Sequence, residues 1–310
     1  MTDYDFKNRM NDWGPYEEKE SKWIIFSVGN PNEGHGYALP RNIDDLHAKK
    51  AAYDLEFHTG QRYVSHIPYT TDRCGDVARD WAPFYIPWEE FYEKCVEFMK
   101  YHLEIIRNRG EEVSRVMLIT GHGGNDDLTE RKIQKEMQKD LDVQRFVAIT
   151  ALVERKDAGR VLEAVKKLAE NIIKERGPQL GRENAGDLAD FYGKILLSAG
   201  HACHTEHSLG AALGVCDMRK VEVMNTLLEK DFEAALKKWP PIGGLGGYLL
   251  VGGKYTDALG TEDNDKYGLW NCLNGLKDLN NGKLIVVPEL GHLIHKLSLD
   301  IKTEIINKYI

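Results

Sequence analysis

The sequence predicts an α/β domain in which a parallel β-sheet is covered by helices on both faces. Two observations lead to this fold class: short apolar runs alternate with longer amphipathic stretches, and this alternation persists through the first half of the chain. Strands buried on both faces read as continuous apolar runs, and the helices between them cover the sheet. The 310 residues, 42% of them hydrophobic, are enough for one large core.

Four short strands are predicted in the first half and one near the end. They are expected at Trp23–Val28, Arg62–Pro68, Val113–Ile119, Phe146–Leu152 and Leu284–Pro288. The first of them is an apolar run that stops at Gly29-Asn30-Pro31, a sequence that breaks regular structure. The third runs directly into the glycine-rich turn that begins at Gly121.

Helical patterns follow the strands. The first helix is expected from Asp45 to Thr59, closed by Gly60, and the second begins at Pro87 with acidic residues at its positive end. Further helices are expected at Leu128–Leu141, Val161–Ile173, Asp187–Ala199, Ser208–Leu213, Met218–Lys230 and from Leu290 to the C-terminus. The glycine-rich segment 240–253 predicts a loop. It does not fit a dinucleotide-binding pattern, because it lacks the third glycine of that pattern.

Charge and composition exclude several classes of partner. Lys and Arg number 41 against 49 Asp and Glu, so the formal charge is −8, which suits neither a nucleic-acid backbone nor an anionic lipid surface. No apolar run approaches the roughly 20 residues of a membrane helix. The polar segment Met1–Lys7 does not resemble a signal peptide, and the five cysteines form no C-x-x-C pair. We therefore expect a cytoplasmic protein that acts on a small molecule, without nucleic acid or membrane as partner.

Residues that bind metal ions cluster at the predicted strand ends. Glu33 and His35 follow the first strand, with Asp44 nine residues after His35, and His122 follows the third strand. A third cluster lies at residues 201–208, which read His-Ala-Cys-His-Thr-Glu-His-Ser. Carboxylates and imidazoles are ligands that Zn²⁺ or Mn²⁺ accept, and the carboxyl ends of parallel strands meet at one edge of a sheet. These residues therefore predict one metal site at that edge.

Each cluster alone has other interpretations. The glycine-rich turn around His122 could form a nest of backbone amides that binds an anion. His201, His204 and His207 could be a solvated helix face. Cys203, beside two histidines, could serve as a thiolate nucleophile in a cysteine hydrolase. A binding or assembly protein that retains the fold without the reaction is a further alternative.

Taken as a set, the motifs resemble the creatininase (creatinine amidohydrolase) family. That family's pattern is E-x-H-G-x-H-L-P, an Asp, N-G-H-G-G-N and H-A-G-x-x-E-T-S, and it corresponds in order to Glu33–Pro40, Asp44, Thr120–Asn125 and His201–Ser208. The resemblance covers a core of about residues 23–215. We expect a single domain over 1–310, in which about 232–310 form a C-terminal extension without a counterpart.

The resemblance implies a three-layer α/β/α fold, two divalent ions (Zn²⁺, Mn²⁺ or both) per subunit and a homo-oligomer, by family a hexamer. Glu33, His35, Asp44 and His122 would be metal ligands, with Asp44 as the bridging carboxylate. In creatininase itself a glutamate lies two residues after the motif histidine, where this chain has a glycine. Glu206 would replace it, as a ligand or next to the ligands, with a catalytic role beside His201, which matches the family's proton-transferring histidine.

The implied reaction is hydrolysis of a small polar cyclic substrate. A metal-activated water would attack a carbonyl carbon, and His201 would protonate the departing atom. Departures from the family pattern, Ala38 and Thr120 among them, fall on the substrate side and weaken the case for creatinine. The expected reactions are ring opening of a diketo-inositol (3-dehydro-scyllo-inosose), as in inositol catabolism and carbohydrate metabolism, or of a cyclic amide. Hydrolysis of creatinine, or of another amide or a formamide, is the alternative.

Overall fold

A four-stranded sheet, parallel throughout, lies at the centre of the computed structural model, which describes residues 22–72, 82–180, 184–197, 201–231, 234 and 283–309. The strands are β1 (Ile24–Val28), β2 (Arg62–Ile67), β3 (Arg115–Thr120) and β4 (Arg145–Thr150), in the order β2-β1-β3-β4. The chain steps outward from β1 to β2 and then returns across β1 to β3. The strand order therefore reverses between β1 and β3, and the crevice at their carboxyl ends is where such sheets bind ligands.

Within the described residues, eight α-helices surround this sheet. They are α1 (Ile43–Thr59), α2 (Trp88–Asn108), α3 (Arg131–Asp140), α4 (Ala158–Leu180), α5 (Ala185–Leu197), α6 (His204–Ala212), α7 (Met218–Lys230) and α8 (Pro288–Lys308).

Alternate residues of β1 face opposite helical layers. Phe26 and Val28 belong to the core beneath α2 and α3, whereas Ile25 belongs to the core beneath α1 and α8. All five residues of β1 are buried, as the uninterrupted apolar run predicts. The molecule thus has three layers, helix–sheet–helix, which confirms the predicted α/β fold class.

The remaining helices pack around α8. Helix α6 lies along α8, α4 and α5 share an apolar cluster that includes Leu290 of α8, and α7 packs against Leu284 just before it. Part of the expected C-terminal extension therefore contributes a helix to the core.

The strand predicted at Leu284–Pro288 is wrong, because residues 284–287 pair with side chains instead of a strand. The amides of residues 284, 285 and 287 donate to Asn225 Oδ1 at 2.7 Å, His204 Nδ1 at 2.7 Å and Ser208 Oγ at 2.9 Å. Helices α6 and α7 supply the hydrogen-bonding partners of this segment, and α8 begins at Pro288.

Two helix boundaries also differ from the prediction. The polar helix expected at Leu128–Leu141 is a 3₁₀ helix at Gly123–Thr129 followed by α3, and the helix expected from Ser208 already begins at His204. The predicted stop at Gly60 is confirmed by its left-handed φ of 68°. The loop expected at 240–253 lies outside the described residues. No helix among the described residues is long and apolar enough to cross a membrane.

Candidate metal centre

The loop after β1 delivers Glu33 and His35 to the crevice. The Glu33 amide donates to the Arg41 carbonyl at 2.8 Å, which closes this loop on itself. The Asn30 side chain donates to Glu33 Oε2 at 3.2 Å, and His35 Nδ1 lies 3.3 Å from the Glu33 carbonyl. A carbonyl only accepts, so this contact places the proton of a neutral His35 on Nδ1 and leaves Nε2 as a lone pair.

Asp44 and His122 approach from the other side of the crevice. Asp44 lies in the first turn of α1, and His122 follows β3 directly. His122 Nε2 donates to the carbonyl of Thr71 at 3.1 Å, so a neutral His122 presents the lone pair of Nδ1 to the crevice. The two histidines are therefore held in the same way, each by a backbone carbonyl.

Asp44 contacts both histidines with different oxygens. Its Oδ1 lies 3.2 Å from His35 Nε2, and its Oδ2 lies 2.9 Å from His122 Nδ1. Glu33 Oε2 is also 2.9 Å from His122 Nδ1, and Glu206 Oε1 is 3.9 Å from His35 Nε2. The side chains form three groups whose ligand atoms lie within 4.8 Å of one another, so that each could hold a metal ion: Glu33–Asp44–His122, His35–Asp44–Glu206 and Glu33–His35–His201. The first two groups share Asp44.

The donor atoms of these groups are suited to a cation. His35 Nε2 and Asp44 Oδ2 are buried and, among the described residues, have no partner in hydrogen-bonding geometry. When both histidines are neutral, as metal ligation requires, their lone pairs and the carboxylate oxygens repel one another, and a buried polar atom without a partner costs about 1–3 kcal/mol. A divalent cation between them would remove both costs, and nitrogen with carboxylate oxygen is a donor set for Zn²⁺ or Mn²⁺.

The pKa shifts in the metal-free protein also favour a cation at this centre. Burial opposes a charged His35, but the carboxylates of Asp44, Glu206 and Glu33 outweigh it and raise the pKa of His35 to about 10. Burial likewise opposes a charged His122, yet Glu33 and Asp44 raise its pKa well above the usual value. Burial alone would raise the pKa of Asp44, but His35 and His122 hold it well below its ordinary range. Carboxylates that attract protons this strongly also attract metal ions, which would displace those protons.

His201 and Glu206 form the more exposed side of the centre. Their side chains are 14% and 18% exposed, against 5% or less for His35, Asp44, Glu33 and His122. Among these six residues, the most exposed ones therefore lie at the N-terminal end of α6.

Local backbone geometry brings this pair into place. His201 Nε2 contacts the Gly34 carbonyl at 2.6 Å, and its Nδ1 lies 3.5 Å from Glu33 Oε1. Glu206 Oε2 accepts from the amide of Ala202, a residue with a left-handed φ of 51°, and burial raises the pKa of Glu206.

Sequence reasoning missed the residues that hold the three strand-end loops together. Asn125 accepts from the Thr71 amide at 3.0 Å and donates to the Gly29 carbonyl at 3.1 Å, so it links the loops after β1, β2 and β3. Asp72 Oδ2 lies 3.5 Å from His122 Nε2, on the outer side of that ring. The available signal was position alone, because Thr71 and Asp72 also follow a predicted strand.

Burial argues against both alternative interpretations of residues 201–208, the thiolate nucleophile and the solvated helix face. Cys203 is 1% exposed and begins α6, so its thiol has no open approach for a substrate. His204 and His207 are fully buried, and burial lowers the pKa of each to about 4. They are therefore not a solvated face, and each is bound to backbone, His204 to the Ile285 amide and His207 to the Cys203 carbonyl.

Comparisons with known proteins give distant structural likenesses. No family model matches the sequence, and no curated protein matches it. A creatinine amidohydrolase (creatininase) structure superposes with a TM-score of 0.48 at 14% identity, over 93% of this chain and 90% of that one. A mutant creatininase complexed with creatine gives 0.48 at 15% identity, over 95% and 94%. A putative creatinine amidohydrolase from Bacteroides fragilis gives 0.42 at 14%, over 92% and 91%.

Proposed function

We propose that this protein is a metal-dependent hydrolase of a small polar carbonyl compound, a distant relative of the creatininases. Glu33, His35, Asp44, His122 and Glu206 would hold two divalent cations, Zn²⁺ or Mn²⁺, and Asp44 would bridge them. The observation that carries the proposal is the shared carboxylate of Asp44, whose oxygens lie 3.2 Å and 2.9 Å from two different histidine nitrogens.

When bound, the cations would supply a water of lowered pKa and polarise a substrate carbonyl. The chain's own residues then have separate tasks. Glu33, His35, Asp44 and His122 are buried, so they exclude bulk water from the back of the centre. His201, on the exposed side, is placed to carry a proton to the departing atom. Glu206 holds the Ala202 amide and so fixes the backbone next to His201.

The proposed substrate is a small polar cyclic molecule with a reactive carbonyl. We propose ring opening of a diketo-inositol (3-dehydro-scyllo-inosose) or of a cyclic amide as the first reactions to assay. Creatinine and formamides are the second choice, because Ala38 and Thr120 differ from the family pattern. A homo-oligomeric (hexameric) enzyme is expected from the same resemblance, and a cytoplasmic location is expected from the composition of the sequence.

Metal analysis combined with a substrate panel tests the proposal. Purified full-length protein, dialysed against Zn²⁺ or Mn²⁺ and then freed of excess metal, is expected to retain about two ions per chain. Chelation should abolish turnover of one of the four substrate classes, and added metal should restore it.

His201→Asn separates proton transfer from metal binding in the same assay. Removing a general acid typically costs about 10²–10⁴-fold in kcat, while the metal content stays at the wild-type value. Lys156→Gln, an exposed change, is the control variant. Protein that retains less than one ion per chain would exclude the proposed function. Full occupancy without turnover of any of the four substrates would favour the non-catalytic alternative.

A further inference from the structure

A chain of buried polar side chains lies directly behind the candidate metal centre. Tyr63 OH lies 2.6 Å from Ser27 Oγ, Ser27 Oγ lies 2.8 Å from His66 Nδ1, and His66 Nε2 lies 2.9 Å from Asp45 Oδ1. The chain runs from β2 through β1 and back through β2 to the first turn of α1. Its last member, Asp45, is the neighbour of Asp44 in sequence.

The order Ser–His–Asp resembles a hydrolytic triad, but the surroundings exclude that role. Ser27 is 0% exposed and lies within β1, with its hydroxyl against Tyr63. No substrate can approach Ser27 Oγ without opening the sheet. Burial lowers the pKa of His66, and its Nδ1 is turned to Ser27. Its Nε2 is in close contact with Asp45 Oδ1, although the two buried atoms are not in hydrogen-bonding geometry.

The backbone around Asp44 and Asp45 packs directly on the strand ends. A methyl group at Gly29 would lie 2.5 Å from the Asp45 amide nitrogen, and one at Gly121 would lie 2.1 Å from the Asp44 carbonyl oxygen. The first turn of α1 therefore rests on the backbone beyond β1 and β3. Asn42, at the start of this helix, makes no capping hydrogen bond with its side chain.

We propose that His66 is a positioning residue that sets the orientation of Asp44 through Asp45, an inference that rests on the proposed function. Successive residues of a helix point about 100° apart, so Asp44 can face the centre while Asp45 faces β2. Anchoring Asp45 to His66 fixes the rotation of this turn about the helix axis. That rotation determines where both oxygens of Asp44 lie relative to His35 and His122.

Metal binding by the full-length protein tests this inference without reference to turnover. The protein is stripped with chelator, and its Zn²⁺ affinity is measured by competition with a chromophoric chelator. The visible spectrum of the Co²⁺-loaded protein reports ligand geometry. His66→Phe and Asp45→Ala are expected to weaken Zn²⁺ binding about 10–100-fold, the usual effect of losing a group that orients a ligand, and to change the Co²⁺ spectrum. Asp45→Asn keeps an oxygen facing His66 Nε2 and should recover most of the affinity.

Two controls separate positioning from general destabilisation. His102→Gln removes an imidazole that packs on β1 from the opposite face, against Phe26. Leu55→Ala removes core packing from α1 about three turns beyond Asp44. Both should leave the Zn²⁺ affinity and the Co²⁺ spectrum unchanged.

The outcomes separate the two claims. Wild-type affinity and spectrum in His66→Phe, or an equal loss of affinity in Leu55→Ala, would overturn the positioning role while leaving the proposed function intact. Failure of the wild-type protein to bind either metal would overturn the proposed function and this inference with it. If His66→Phe does not fold, His66→Gln replaces it, with a smaller loss of affinity expected and unchanged affinity counting against the inference.

Discussion

At the residue scale, the centre depends on a few side chains that each contact more than one partner. Asp44 uses one oxygen for His35 and the other for His122, and each histidine is oriented by a backbone carbonyl on its far side. A backbone carbonyl fixes the tautomer without adding another charge. Metal affinity in this arrangement should therefore depend on the carboxylates unequally, according to how many ligand groups each one joins.

Asp44→Ala and Glu206→Gln should differ in the number of ions lost. Asp44 belongs to two of the three candidate ligand groups, whereas Glu206 belongs to one. We expect Asp44→Ala to lose both ions and Glu206→Gln to lose one, as measured by elemental analysis after gel filtration. Glu304→Gln, an exposed carboxylate paired with Arg160, is the control and should retain both. Equal losses in the two site variants would contradict the bridging role of Asp44.

At the element scale, close packing of α1 on the strand ends positions the centre. Gly121 lies where β3 ends, and its missing side chain allows the Asp44 carbonyl to approach. Neighbouring Gly123, two residues further along the same turn, has open space around it. Close packing thus requires a glycine at position 121 but not at position 123, although the two residues look alike in the sequence.

Gly121→Ala should destabilise the protein, and Gly123→Ala should not. The new methyl group at position 121 would lie 2.1 Å from the Asp44 carbonyl oxygen and 3.0 Å from the Ala48 amide nitrogen, so α1 must move. Overpacking of this kind costs about 1–3 kcal/mol, and the shift of Asp44 should weaken metal binding as well. Urea unfolding of both variants measures the difference. A Gly121→Ala protein as stable as Gly123→Ala would show that α1 does not rest on this turn.

The four central strands and most of the helices were predictable because their signals are local. Apolar runs, Gly60 and Pro87 mark element ends within a few residues of themselves, and a parallel sheet then brings Glu33 and His122 to one edge. The contact of Asp45 with His66 was not predictable, since it depends on the packing of α1 against β2. The strand wrongly predicted at 284–287 has the same cause. Its apolar pattern favours extended backbone but does not indicate whether a strand or side chains will pair with that backbone.

Asn225 takes the place of a neighbouring strand for this extended segment. Its side chain donates to the Leu284 carbonyl at 2.9 Å and accepts from the Leu284 amide at 2.7 Å. Asn225→Ala leaves both groups without a partner and should cost about 1–3 kcal/mol of unfolding free energy. The Leu284 amide should also lose protection from hydrogen exchange. Thr226→Ala, an exposed neighbour on α7, is the control, and retained protection in Asn225→Ala would contradict this pairing.

At the scale of the whole molecule, the candidate centre joins parts of the chain that are distant in sequence. Its donors come from the loop after β1, from α1, from the turn after β3 and from α6. Two divalent ions would offset up to four of the eight net negative charges of the chain. Metal binding should therefore stabilise the native state as a whole, since ions that bind only the folded protein shift the unfolding equilibrium.

Helix α8 adds a second charge-dependent contribution, from a buried lysine outside the candidate metal centre. Lys302 is fully buried, donates to Ser298 Oγ and lies 3.4 Å from the Ala151 carbonyl at the end of β4. Burial lowers its pKa from 10.5 to about 7, although Glu154 and Asp157 partly oppose the shift. Between these two values the unfolded chain holds a proton that the folded chain has released. The penalty for burying Lys302 is therefore fully present below pH 7 and diminishes as the pH rises towards 10.5.

Lys302→Met should remove this pH dependence. The stability difference between Lys302→Met and the wild type should shift in favour of the wild type by about 1.4 kcal/mol for each pH unit above 7, because the variant has no proton to release. Urea unfolding at pH 7, 8 and 9 measures this difference. A chelator is present so that metal binding does not contribute to the measured stability. Lys296→Met, on the exposed face of the same helix and paired with Asp300, should differ from the wild type by a nearly constant amount. A constant difference for Lys302→Met as well would mean that the buried amine keeps its proton, and that Ser298, Ala151 and the two nearby carboxylates are sufficient to hold it charged.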